Sequence, residues 1–221
     1  MDLPVFALHT VLFPGASMGL RVFEPRYLAL LDDVLPAGTF AVVAIKHGAE
    51  VGGDYEANRV GATIEIDAHA LEDDGTHILR VTGRERVTLV VPVGDEPYPV
   101  WQVEPYPDEG GAGTDDVETA VAELGRYLVA TGRAAGQRQA PERLESSELD
   151  DVPAVPHDPV AASYVLAAAT PGLVPHHQAL LEMPGAGERL HEVRATFRRE
   201  TALVRALGAG VGGAGLDVST N

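Results

Sequence analysis

The stretch Arg21-Val22-Phe23-Glu24-Pro25-Arg26-Tyr27-Leu28-Ala29-Leu30-Leu31-Asp32-Asp33-Val34-Leu35-Pro36-Ala37-Gly38 decides the fold. Pro25 suits a first helical position, where the missing N–H costs no hydrogen bond. Tyr27, Leu28, Leu31, Val34 and Leu35 then recur at helical spacing, until Pro36 and Gly38 stop the run. This helix is alone among strands. Leu3–Leu8 precedes it as a short apolar run. Phe40–Ile45 follows, apolar on both faces like a central strand. In Val60–Ile66, Val60, Ala62, Ile64 and Ile66 face one way and Thr63 and Glu65 the other. Ile78–Gly83, Arg86–Val93 and Val100–Glu104 read as further strands rich in β-branched residues. Asp74-Gly75 suits a tight hairpin turn that needs positive φ. Closely spaced strands with one crossing helix predict a mostly antiparallel, barrel-like sheet.

Near residue 105 the texture changes. Pro105–Asp116 is rich in Pro, Gly and acid and reads as a linker. Val117, Val121, Leu124 and Leu128 then share a helix face that ends near Gly132. Residues 132–157 lack apolar periodicity and read as a long loop. Asp158-Pro159 is an N-cap with a first-turn proline for a helix through Ala169. Gln178–Glu182 sits in a short helix after Pro175. Glu188–Leu207 is the clearest helix, with Leu190, Val193, Phe197, Val204 and Leu207 as its buried stripe and the arginines mostly off it. The predicted organisation is a β-rich lobe over 1–108, a helical bundle over 114–207 and a disordered Gly-rich tail over 208–221. The class is α+β.

Composition narrows the function. The chain has 221 residues, 45% hydrophobic and 22% charged, an ordinary globular balance. Lys+Arg is 16 against Asp+Glu 33, a formal net charge of -17. Such a chain repels phosphate backbones and anionic lipid, so neither nucleic acid nor a membrane is expected as a partner. Without cysteine, disulfides, thiolate zinc sites, iron–sulfur clusters and Cys nucleophiles are excluded. No apolar run reaches the roughly 18 residues of a membrane span. The start, Met1-Asp2-Leu3-Pro4, lacks a basic secretory signal, so the expected location is the cytoplasm.

Motifs for bond chemistry are missing. Lys46 is the only lysine, and neither a P-loop nor a nucleophile elbow surrounds it or any serine. His176-His177 are helix neighbours about 100° apart and cannot chelate as an i,i+4 pair does. His191-Glu192 lacks the second histidine of a zincin, since Ala195 stands there. The acidic clusters Glu72-Asp73-Asp74, Asp115-Asp116 and Glu148–Asp151 lie beside turns and helix starts, where solvated charge is favourable. No catalytic residue, metal or cofactor is expected. An enzymatic version would need His9 beside His176 or His177.

One segment stands out. Phe23, Glu24, Arg26 and Tyr27 surround the helix start, and Phe13 lies on the loop just before. The structural reading has Phe23 stapling the helix and an arginine pairing with Glu24. The functional reading is a recognition edge, because arginine and aromatics anchor interfaces. Phe13, Phe23, Glu24, Arg26 and Tyr27 are therefore the candidate substrate-binding residues.

Several blocks carry a resemblance. Leu3-Pro4-Val5-Phe6 through Leu12-Phe13-Pro14-Gly15, Arg21-Val22-Phe23-Glu24-Pro25-Arg26-Tyr27, Val60-Gly61 with Ile64, Gly83-Arg84-Glu85-Arg86, Tyr98-Pro99-Val100, and Gln178-Ala179-Leu180-Leu181-Glu182 with Arg189-Leu190 occur in one order. Together they resemble the N-terminal substrate-binding domain family of the Lon ATP-dependent proteases, over about residues 3–207. The resemblance implies a PUA-like β pseudo-barrel followed by a helical bundle. It implies recognition of unfolded or exposed polypeptide segments by a non-catalytic module, an adaptor or quality-control factor, and it leaves a homo-oligomer open. The chain stops where the ATPase module would start, so a free-standing member is expected, and neither ATP hydrolysis nor peptide cleavage carries over. The alternative is a small-molecule or signalling sensor with its ligand between the β lobe and the helical lobe.

Overall fold

A computed structural model describes residues 1–35, 38–51, 54–136 and 154–212. Its strands are β1 (Asp2–Leu8), β2 (Ser17–Val22), β3 (Ala41–Gly48), β4 (Tyr55–Leu71), β5 (His77–Gly94) and β6 (Val100–Pro105). Its helices are α1 (Pro25–Val34), α2 (Thr114–Gly136), α3 (Pro159–Ala168), α4 (Val174–Glu182) and α5 (Ala186–Gly212). The α+β class and the single helix among the strands are as expected.

The sheet order is β2-β5-β4-β3-β1-β6, and β5 also pairs with β6. Strands β1, β3, β4, β5 and β6 therefore close into a ring. Only β1 and β3 run parallel. The long β5 makes the closure possible: its first part, through Thr82, carries β2, and its second part, from Val87, carries β6. The two strands expected at Ile78–Gly83 and Arg86–Val93 are thus one. Gly83, in the middle of this strand, serves close approach. A Cβ there would sit 2.4 Å from the Phe13 carbonyl oxygen, and the Gly83 main chain bonds Gly15 and Ala16 at 2.8 and 2.9 Å. Strand β2 escaped the sequence reading because its inward side, Met18, Leu20 and Val22, holds one β-branched residue and its outward side is Ser17, Gly19 and Arg21.

Pattern and burial agree along the central strands. On β1 and β3, Leu3, Val5, Ala7, Ala41, Val43 and Ile45 join Val87, Leu89 and Val103 in a cluster that the ring surrounds. The alternate residues Phe6, Leu8, Phe40 and Val42 meet α1 on the other face, through Tyr27, Leu30, Leu31 and Val34. Each such leucine stabilises the fold by roughly 1.5–3 kcal/mol. Glu24 caps α1 in extended geometry and Pro25 opens it. Gly75, at φ 83°, makes the β4–β5 turn.

A third cluster joins Ala120, Leu124, Leu166, Leu180, Leu190, Val193 and Phe197 of the helices to Val60 of β4 and to Phe13. Asp158 caps α3, accepting from Ala161 N at 2.8 Å. Some helical expectations need correction. On α2 the buried side is Ala120 and Leu124, whereas Val121 and Leu128 are exposed. On α5, Leu207 is exposed and Arg189 is fully buried. Helix α2 continues past Gly132 to Gly136, and α5 continues past Gly208 to Gly212. What remains of the expected long loop at 137–153, and of the expected tail at 213–221, lies outside the described residues.

Candidate functional site

The segment after β2 turns sharply because Pro25 starts a helix where Val22 ends a strand. That turn leaves Phe23 52% exposed. Phe23 is therefore not sealed within the core as a purely structural residue would be. Arg26 and Glu24 pair as expected, with Nη2–Oε2 at 3.1 Å. Arg26 Nη2 also donates to the Glu50 carbonyl at 2.9 Å, and its guanidinium lies 4.5 Å from the Tyr27 ring centroid. Of these three contacts, the bond to Glu50 ties the start of α1 to the β3–β4 connection.

The other two aromatics behave differently. Tyr27 is 1% exposed, stacked on Phe6 at 3.9 Å, and its oxygen accepts from Ala7 N at 3.4 Å. Burial pushes its hydroxyl pKa up, against opposing bonds from Ala7 and the charge of Arg26. Phe13 is 2% exposed and belongs to the helical core, 6.5 Å from Tyr164 and 6.0 Å from His177 between ring centroids. The expectation that Phe13 and Tyr27 present apolar surface is therefore corrected. Tyr27 lines the groove beside Phe23 from beneath, whereas Phe13 lies in the separate helical core. Phe23 and Glu24 line one concavity, and Arg26 lines another beside Tyr55.

A groove of about 340 Å³ lies beside this segment. Phe6, Leu8, Leu20 and Val22 contribute to its lining, with Phe23 and Val51. Val51 is 56% exposed, so the groove has two wet apolar residues on its lining. His9 also lines it and donates from its main chain to Glu50 Oε2 at 2.6 Å. That position separates His9 from His176 and His177, which pack with α4. His177 Nε2 bonds Thr170 O at 2.8 Å, and burial lowers the His176 pKa, helped by the neighbouring His177 charge. The trio needed for the enzymatic version does not meet.

Two of the further concavities among the described residues hold charged side chains. One, about 900 Å³, opens at the end of the ring beside Lys46, Tyr55, Arg59 and Trp101. Its cations are already engaged: Lys46 with Glu56 at 2.8 Å, and Arg59 over Trp101 at 4.8 Å. The other, about 540 Å³, lies between β5, the stretch after β6, and α3, against Arg86, Tyr106, Asp108 and Tyr164. Behind it is a polar joint that sequence reading missed. Arg86 donates to Leu181 O and Met183 O at 2.7 Å each. Arg189 donates to Leu180 O at 3.1 Å and Ser163 Oγ at 2.6 Å. Tyr164 Oη donates to Asp108 Oδ2 at 2.5 Å. Gln178 adds a bond to Val60 O at 3.0 Å. Burial lowers the Arg86 pKa, opposed by Tyr164 and Asp108. The signal was available: an arginine inside a β-branched strand, and another between Ala186 and Leu190 on an apolar helix face. Among the described residues, no set of three or more acidic or histidine side chains converges as a metal site would require.

With this geometry in place, comparison with known proteins adds context. The sequence model for the ATP-dependent protease La (LON) substrate-binding domain matches residues 2–196. Among curated proteins none matches. Of solved structures, a Lon N-terminal domain protein from Xanthomonas campestris is similar, with 28% identity and a TM-score of 0.61 over 88% of this chain and 98% of that one. The N-terminal domain of a Mycobacterium avium complex Lon protease shares the fold, with 16% identity and a TM-score of 0.63 over 90% and 98% of the two chains.

Proposed function

The chain belongs to the ATP-dependent protease La (LON) substrate-binding domain family, and from that premise we propose that it is a non-catalytic polypeptide-recognition module. It captures unfolded or exposed segments of other proteins and alters no bond in them, as an adaptor or quality-control factor in the cytoplasm. The observation that carries the reading is the groove beside Phe23, where two exposed apolar residues border a lining of leucine, valine and aromatic side chains. Burying apolar side chains there drives capture, and the Glu24–Arg26 pair at its end orients the bound segment. The net charge of -17 disfavours nucleic acid and anionic membranes.

The test is calorimetric titration of reduced, carboxamidomethylated lysozyme, an unfolded chain of net positive charge, into the full chain. The expected result is saturable binding, weakened at least tenfold by Phe23→Ser with Val51→Ser. Absence of binding, or indifference to both substitutions, overturns the proposal. Phe13 and Tyr27 are unsuitable probes, because both are core.

The cavity of about 540 Å³ beside Arg86 and Tyr164 favours a second reading, a sensor with a small ligand between the strands and the helices. A native-state ligand there would raise the midpoint of thermal unfolding. A metabolite panel that leaves the midpoint unmoved removes this reading.

A further inference from the structure

The groove is bordered by β2, and β2 has an open edge. Its only strand partner among the described residues is β5. Register runs from Ser17↔Thr82 to Val22↔His77 without a bulge. Gly83 N donates to Ala16 O at 2.9 Å, which sets the alternation of an antiparallel ladder. Residues 18, 20 and 22 then exchange bonds with β5, and the N–H and C=O groups of Ser17, Gly19 and Arg21 point away from it. The side-chain bond between Ser17 Oγ and Thr82 Oγ1 at 2.8 Å fits this phase, since side chains approach most closely at non-hydrogen-bonded pairs.

Gly19 sits mid-strand and is exposed. Its φ is not in the left-handed region, and a Cβ built on it would meet only the Leu79 carbonyl, at 4.0 Å. Neither backbone conformation nor packing requires glycine there. A glycine in a strand without a folding reason fits the close approach of another backbone. Within Ser17–Val22 the edge carries no proline and no bulge, and its one charged side chain, Arg21, is held by Glu72 and Asp74.

We propose that β2 accepts an extended polypeptide segment as an added strand, pairing with the outward groups of Ser17, Gly19 and Arg21. The proposal rests on the recognition reading and specifies its mode. Alternate side chains of the added strand would fall toward the groove at Phe23 and Val51 and toward the opposite concavity at Gly19, Ala68 and Ala70. Charge selects among segments. Glu24, Glu50, Glu72 and Asp74 surround the edge, against Arg21 and Arg26, and Arg21 is already engaged by Glu72 and Asp74 at 3.1 and 3.6 Å. The matching occupant alternates apolar with basic residues and is poor in carboxylates. A second copy of this chain, with its own charge of -17, matches poorly.

The experiment is amide hydrogen exchange by NMR on the full chain, with and without a peptide alternating valine and lysine. The expected result is at least tenfold slower exchange at Ser17, Gly19 and Arg21 in the complex. Affinity is expected to fall at least tenfold for the peptide N-methylated at every second residue and for the valine–glutamate version. Gly19→Pro, checked for retained fold by circular dichroism, is expected to lose binding likewise. If the unfolded lysozyme binds in a Phe23-dependent way while these amides exchange unchanged, strand addition is overturned and the recognition reading stands. If no unfolded chain binds, both fall. If the same amides slow with rising protein concentration alone and sedimentation shows a dimer, a second copy is the occupant and the proposal is overturned.

Discussion

Arg189 Nη2 lies 2.7 Å from Asp108 Oδ1, with the Arg189 side chain wholly buried. The same oxygen is 3.3 Å from Nη2 of Arg86, which is almost as buried. One carboxylate therefore neutralises part of two guanidiniums, one on β5 and one on α5. Main-chain carbonyls of α4 and the turn after it take most of the remaining donors. Three elements far apart in sequence are locked by polar groups whose separate burial would be unfavourable.

Asp108→Asn should therefore be severe. It leaves two buried cations without a counter-charge, and breaking a buried pair costs about 3–5 kcal/mol. Urea denaturation should show that loss as a lower midpoint at unchanged slope. The control is Arg84→Ala. Arg84 pairs with Glu65 in solvent, and exposed pairs contribute about 0–1 kcal/mol. A loss for Asp108→Asn no larger than the control would refute this account of the joint.

Phe23 and Tyr27 should separate binding from folding. Phe23→Ser alters a half-exposed side chain, and such surface changes stay within about 0.5 kcal/mol. Tyr27→Ala empties a core position stacked on Phe6, with an expected cost of about 3–5 kcal/mol. Thermal unfolding of both variants, beside calorimetric titration, reads the two effects independently. Equal destabilisation by the two substitutions would contradict the burial difference.

Two glycines should respond oppositely to alanine. At Gly83 the added methyl meets main-chain atoms of Phe13, and forced overpacking costs roughly 1–3 kcal/mol. At Gly19 the methyl meets only the Leu79 carbonyl oxygen, at an unstrained 4.0 Å, and the reduced freedom of the unfolded chain stabilises by up to about 1 kcal/mol. Denaturant midpoints should shift down for the first and stay or rise for the second.

Acid should destabilise the protein in two steps. Burial lowers the His176 pKa, so the fold favours the neutral ring. Its contribution is complete above the unfolded value of about 6.5 and is lost as pH falls through the lower folded value. For Glu123, burial pushes upward, but hydrogen bonds and charge from Arg126 and Arg198 prevail and hold it below the ordinary range. Its contribution is complete above about 4.3 and is lost at still lower pH. His176→Phe should flatten the first step in unfolding free energy against pH, and Glu123→Gln the second.

The candidate site was legible only in part. The Pro25 helix start and the Glu24–Arg26 pair could be read from neighbouring letters, because both are local. Phe23, Tyr27 and Phe13 looked alike in the sequence, yet one is exposed and two are core in different clusters. Aromatic residues announce packing or binding equally, and only the neighbours decide which.

Local chemistry explains what the sequence alone determined: the α+β class, the central strands β1 and β3, the lone helix α1, the Asp158 cap and the turn at Gly75. Each depends on a period, a proline or a positive φ within a few residues. Contacts between distant segments decided the rest. Ring closure by β5 needs both β4 and β6 in place, the Arg86–Asp108–Arg189 joint brings Asp108 to Arg189, 81 residues away, and the open edge of β2 exists because no other strand among the described residues comes to cover it. Such pairings are set by which buried surfaces fit together, and that fit has no signature in any single stretch of chain.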